Sequence, residues 1–114
     1  MEKIELNFKL KAYHFSLALK EGEGNLYWKK SGFKVKRGYK LKGCWRNTVE
    51  REVIKIRNFI SSKADSKLLG ESADFTWNSR TVEKSLLPKE MDQLDKRFTH
   101  LFNVLKTGEG KCIK

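Results

Sequence analysis

The stretch 27–46 holds the side chains best suited to bind a charged ligand. It contains Lys29, Lys30, Lys34, Lys36, Arg37, Lys40, Lys42 and Arg46, and no acidic residue. Tyr27, Trp28, Phe33, Tyr39 and Trp45 are interleaved with them. Ammonium groups meet phosphates and aromatic rings stack on base faces, so the mixture fits a polyanion that carries stackable bases. These twenty residues hold +8 of a formal net charge of +11, whereas residues 1–26 are neutral and residues 47–114 add +3. Lys outnumbers Arg 19 to 6, which favours point-charge contacts with phosphate over bidentate reading of base edges. The eight basic residues are therefore expected to contact nucleic acid, with Trp28, Tyr39 or Trp45 stacking on bases if exposed. The structural alternative is that the aromatics are core and the lysines their solvated neighbours on a strand.

Other chemistry finds little footing. Cys44, Cys112, His14 and His100 are the residues a zinc ion would use, but none has a partner at C-x₂-C or H-x₃-H spacing. Cys44 reads as a small buried hydrophobe at a strand end. Neither histidine lies near a nucleophile motif. Glu50, Glu52, Asp74 and Glu83 would be the acids of a metal-dependent nuclease, yet the run Asp74-Phe75-Thr76 lacks the (D/E)-x-K signature. Gly22-Glu23-Gly24 and Gly108-Glu109-Gly110-Lys111 lack the remainder of a phosphate-binding loop. The expectation is a non-enzyme with no metal and no cofactor.

The elements that position the basic stretch follow from periodicity. Ile4, Leu6, Phe8 and Leu10 alternate with polar residues, as do Tyr13, Phe15, Leu17 and Leu19 with flipped parity. A two-residue loop at Lys11-Ala12 pairs Leu10 with Tyr13 and Ile4 with Leu19, and a β-bulge flips parity equally well. Glu21 to Asn25 is a turn, Leu26-Tyr27-Trp28 opens another strand, and Ser31-Gly32 breaks it. Residues 33–36 and 39–42 then read as the arms of a hairpin. A three-residue loop, Arg37-Gly38-Tyr39, sets Val35 opposite Leu41, Lys34 opposite Lys42 and Lys36 opposite Lys40, which keeps the apolar side consistent. That register gathers four lysines on one face, and like charges directly opposed are unfavourable. Folding gives no reason for the arrangement, whereas a polyanion lying across the face does. Lysines guarding an edge strand against aggregation are the alternative.

Beyond the basic stretch the period turns helical. Val49, Val53, Ile56 and Ile60 form a stripe, with Asn47 as N-cap and Glu50 at N3, over about residues 48–62. Arg51, Lys55, Arg57 and Asn58 on its outer face are of the right type for a major groove, but no helix precedes it. A short strand is expected near 73–77. A last helix is expected from Leu87, Met91, Leu94, Phe98, Leu101, Phe102 and Leu105, with Gly108 as its stop.

The expected fold class is therefore α+β: an antiparallel β-meander of about four strands followed by two helices packed on one face. Small single-strand binders built on curved antiparallel sheets are similar in outline, a likeness of topology only. At 114 residues with 39% hydrophobic composition, the chain suits one domain over 1–106, with 107–114 as a mobile basic tail. No apolar run approaches the roughly 20 residues of a membrane span. Two cysteines are too few for a disulfide scaffold, so a soluble, cytoplasmic, reduced protein is expected. Its function is read as largely sequence-independent binding of DNA or RNA, single strands ahead of duplex, through the lysine-rich hairpin face. The alternative is a small phage- or plasmid-type inhibitor (a viral protein in that case) that docks on an acidic host protein surface or a nucleoprotein complex. A dimer is compatible with either.

Overall fold

A computed structural model describes residues 3–67 and 70–109. Strands β1 (Ile4–Leu10), β2 (Tyr13–Lys20), β3 (Glu23–Lys30) and β4 (Phe33–Lys40) lead into helix α1 (Gly43–Ser61). Strands β5 (Ala64–Asp65), β6 (Glu71–Trp77) and β7 (Arg80–Leu86) follow, and helix α2 (Pro88–Gly108) closes the chain's described part. One sheet contains all seven strands in the order β4-β3-β2-β1-β6-β7-β5, with every neighbouring pair antiparallel. The α+β class is as expected. The sheet exceeds the four-stranded meander because β6 joins the free side of β1, and α1 precedes the last three strands.

Two-residue turns set the register. In three of them both central residues take positive φ: Glu21-Gly22, Ser31-Gly32 and Asn78-Ser79. That is the type I′ pattern, whose twist matches the flanking strands. Lys11 also adopts a positive φ, so the Lys11-Ala12 loop forms, and Ile4 pairs with Leu19 and Leu10 with Tyr13 as the parity argument requires.

The hairpin expected over 33–42 is not formed. Residues 33–40 are one strand, Gly38 lies inside it, and β4 pairs along its whole length with β3. The Ser31-Gly32 turn places Trp28 opposite Val35, Tyr27 opposite Lys36 and Lys29 opposite Lys34. It also places Lys30 opposite Phe33 and Leu26 opposite Arg37 on the helix-facing side, where charged groups need partners. Lys30 finds Asp95, and Arg37 finds Glu109.

Both helices cover the same side of the sheet. Val49, Val53, Ile56 and Ile60 of α1, and Leu94, Phe98, Leu101 and Leu105 of α2, are fully buried against Leu6, Phe8, Phe15 and Leu17. Phe98 stacks on Phe15 with ring centroids 4.2 Å apart, and Phe8 lies 5.5 Å from it. Helix α1 starts at Gly43 behind Lys42, not at Thr48 behind Asn47, so Cys44, Trp45 and Arg46 are helical. Helix α2 is capped by the Glu90 carboxylate, which accepts the Leu87 N–H at 2.9 Å. Thr107 and Gly108 belong to α2, and Glu109 bridges to Leu41. Of the tail read over 107–114, residues 110–114 lie outside the described residues. Among the described residues, no helix is long and apolar enough to cross a membrane.

A pair of helices about 10 Å apart spans roughly four strands at about 4.8 Å each. Seven strands are wider than that, so β7 and β4 are left partly uncovered on the helix side: Val82 is 38% and Phe33 41% exposed. Among the described residues, no helix lies on the opposite face of the sheet.

Candidate nucleic-acid interface

Strand alternation decides which basic residues share the helix-free face. Residues that pair across strands point the same way. Across β2, β3 and β4 that face carries His14, Ser16, Ala18 and Lys20, then Glu23, Asn25, Tyr27 and Lys29, then Lys34, Lys36, Gly38 and Lys40. Five lysines thus stand against one carboxylate, Glu23, whose distance to Lys40 is 3.9 Å. Lys29 and Lys34 are directly opposed, an arrangement that costs a few tenths of a kcal/mol or more unless something anionic lies over it. Among the described residues Lys20, Lys29, Lys34 and Lys36 form no ion pair.

The centre of this face is shallow because its residues are small. Ala18, Asn25 and Gly38 are consecutive cross-strand partners. They floor a depression of about 420 Å³ edged by Ser16, Tyr27 and Lys36. A second depression of about 570 Å³ shares Asn25 and Gly38 with it and runs on to Lys20, Lys40, Glu23 and Glu109. Tyr27 is half-buried in the same surface. Its ring meets His14 edge-on at 5.0 Å, and the Lys34 ammonium lies 5.9 Å from its centroid.

His14 is anchored on that face by Asn7, whose Oδ1 lies 2.7 Å from Nε2, making Nε2 the donor. Partial burial, and then the neighbouring Lys9 charge, hold its pKa below the usual 6.5. The face changes sign toward the other edge: Asp74 of β6 is opposite both Lys9 and Glu83 of β7. The positive field is therefore confined to β1–β4.

The expected site residues divide sharply. Lys29, Lys34, Lys36 and Lys40 lie on the open face. Lys42 is exposed just before α1, off the sheet. Lys30 points to the helix side, 3.0 Å from both Asp95 carboxylate oxygens and 4.7 Å from the Trp28 ring centre. Arg37 also points that way, over the Tyr39 ring at 5.2 Å and paired with Glu109. Arg46 is 5% exposed. The expected stacking residues do not meet the condition of exposure: Trp28 and Tyr39 are 2% exposed. The Trp28 indole donates to Tyr13 Oη at 3.0 Å, and burial raises the Tyr39 hydroxyl's pKa. Trp45 is half-buried, and its indole donates to the Val104 carbonyl at 2.8 Å. Tyr27, which is not among the expected stacking residues, is the aromatic ring that β3 presents on this face. Its signal was there, since the Ser31-Gly32 turn alone sets Tyr27 opposite Lys36.

No metal centre assembles: among the described residues no three His, Cys, Asp or Glu side chains converge. Cys44, read as a buried hydrophobe, is exposed at the start of α1 and disulfide-bonded, which removes it as a thiolate ligand. Cys112 lies outside the described residues.

Comparison of the chain with protein-family models, with curated proteins and with solved structures finds no match to any of them.

Proposed function

We propose that the protein binds nucleic acid non-catalytically through the helix-free face of β2–β4. Lys20, Lys29, Lys34, Lys36 and Lys40 neutralise phosphates, and Tyr27 offers a ring to an unstacked base. The observation that carries this reading is the Lys29–Lys34 opposition beside Tyr27 on an uncovered face. Most sequence-independent affinity for polyanions comes from counterion release, and lysine ammonium groups supply it without reading base edges. A half-buried ring on an open face favours single strands, whose bases are free to stack. The acids Asp74 and Glu83 repel a strand from the far edge and so orient it along β2–β4.

Anisotropy titration of a labelled single strand of about 12 nucleotides, with the matching duplex and RNA, tests the proposal over a series of salt concentrations. The expected outcome is a steep fall of log affinity with log salt, with single strands bound more tightly than duplex. Undetectable or salt-independent binding to all three overturns it. In that event a nuclease-resistant protein partner captured on the same face supports the inhibitor alternative.

A further inference from the structure

A third cavity lies on the opposite side of the sheet, between α1 and the partly uncovered β7. Its volume is about 200 Å³. Two cross-strand pairs make the floor: Phe75 opposite Val82 and Trp77 opposite Arg80. Arg57 and Ser61 of α1 form the wall, with Lys84 at one end. Its apolar part opens to solvent at Val82, which is 38% exposed, and at the half-buried Trp77, with Phe75 buried beneath them.

The lining is charged with one sign only. Among the described residues it includes Arg57, Arg80 and Lys84 and no carboxylate. Lys84 is 3.4 Å from Asp65, while the Arg57 guanidinium lies over the Trp77 ring at 4.9 Å. Neither Arg57 nor Arg80 forms an ion pair among the described residues. Cations that merely keep an uncovered sheet edge soluble would explain the charge. They would not explain why it rings an open aromatic and aliphatic floor. Guanidinium groups are weakly hydrated, stack on rings and grip phosphate or carboxylate with a fork of donors.

We propose that this cavity binds a small anion built on a single aromatic ring. The ring lies on Val82 beside Trp77, above the buried Phe75, and the negative group is taken by Arg80 and Arg57. Size sets the limit at one ring, since an apolar cavity of about 150 Å³ holds benzene. Two sources share this chemistry, a pyrimidine mononucleotide and a phosphorylated tyrosine. The site is independent of the lysine face, from which the sheet separates it.

Phenyl phosphate is the probe, read by the indole N–H signals in a ¹H–¹⁵N spectrum of the full chain. Trp28 and Trp45 have their indole N–H groups engaged inside the fold and serve as internal references. The expected result is a saturable shift of the Trp77 signal alone. Inorganic phosphate at the same concentration leaves it in place, and adenosine monophosphate, with two fused rings, binds more weakly than phenyl phosphate. Arg80 is exposed, so Arg80→Gln keeps the three indole signals of the folded chain and is expected to weaken binding about tenfold, the loss of one charge-assisted contact. Uridine monophosphate and phosphotyrosine then identify the source by which binds more tightly. No saturable Trp77 shift, an equal shift with inorganic phosphate, or unchanged affinity in Arg80→Gln overturns the proposal.

Discussion

The Lys30 ammonium of β3 sits 3.0 Å from both carboxylate oxygens of Asp95 on α2. The same carboxylate accepts the Tyr13 hydroxyl at 2.8 Å, which in turn accepts the Trp28 indole N–H at 3.0 Å. Burial, reinforced by Asp95, raises the Tyr13 pKa, so the hydroxyl stays a donor throughout the working pH range. The cluster ties α2 to the meander and uses up a cation that the composition of residues 27–46 assigns to ligand binding. We expect Asp95→Ala to cost about 1–3 kcal/mol, the penalty for leaving part-buried donors without their acceptor, measured by urea unfolding. Lys30→Ala is expected to lower stability too, while the salt dependence of nucleic-acid binding keeps its wild-type slope.

Tyr27 separates stacking from charge. Replacing it with Ala is expected to cost about 1–3 kcal/mol of single-strand binding, the range for one base stacked on one ring. Duplex binding should change far less, and Tyr27→Phe should retain the single-strand affinity. Parallel anisotropy titrations on both substrates read the difference.

How far the sequence was legible follows from which contacts are local. The β1–β2 register could be read because its helix-side pairs, Ile4–Leu19 through Leu10–Tyr13, are all apolar. The β3–β4 register could not be read by that rule, because Lys30 and Arg37 break the apolar side. Their partners Asp95 and Glu109 lie 65 and 72 residues further along the chain, and no local pattern reports them. The turn spacing was the better guide: Lys11-Ala12, Glu21-Gly22 and Ser31-Gly32 recur every ten residues, and each closes a hairpin. That rhythm puts Trp28 and Tyr39 in the core and Tyr27 outside. The stripes of α1 and α2 were legible because their burial is periodic, whereas the first turn of α1 was not, since Trp45 packs on Val104 and Gly108 of α2, far along the chain.

Gly108 shows such packing at the end of α2. A Cβ built there would lie 1.3 Å from the Trp45 indole nitrogen, which donates to Val104. Gly108→Ala must therefore displace the ring or the helix end. We expect a loss of about 1–3 kcal/mol, typical of overpacking, in a denaturant titration, accompanied by a change in the Trp45 indole signal.

His14 links the open face to pH. Its folded-state pKa lies below the usual 6.5, so the unfolded chain protonates first and stability falls as pH drops below that value. A phosphate bound beside it favours the charged ring, so binding takes up a proton and tightens as pH falls. Titrations from about pH 8 to about pH 5.5 are expected to show this trend in the wild type and a flatter profile in His14→Gln.

The most direct measurement is the slope of log affinity against log salt for the wild type and for the triple variant Lys29→Ala, Lys34→Ala, Lys36→Ala on one single strand. All three side chains are exposed, so the fold is retained. Each phosphate contact on a single strand adds about 0.7 to the slope. Loss of three contacts is expected to make it shallower by about 2, with weaker binding at low salt. An unchanged slope in a folded triple variant contradicts the assignment of this face to nucleic acid.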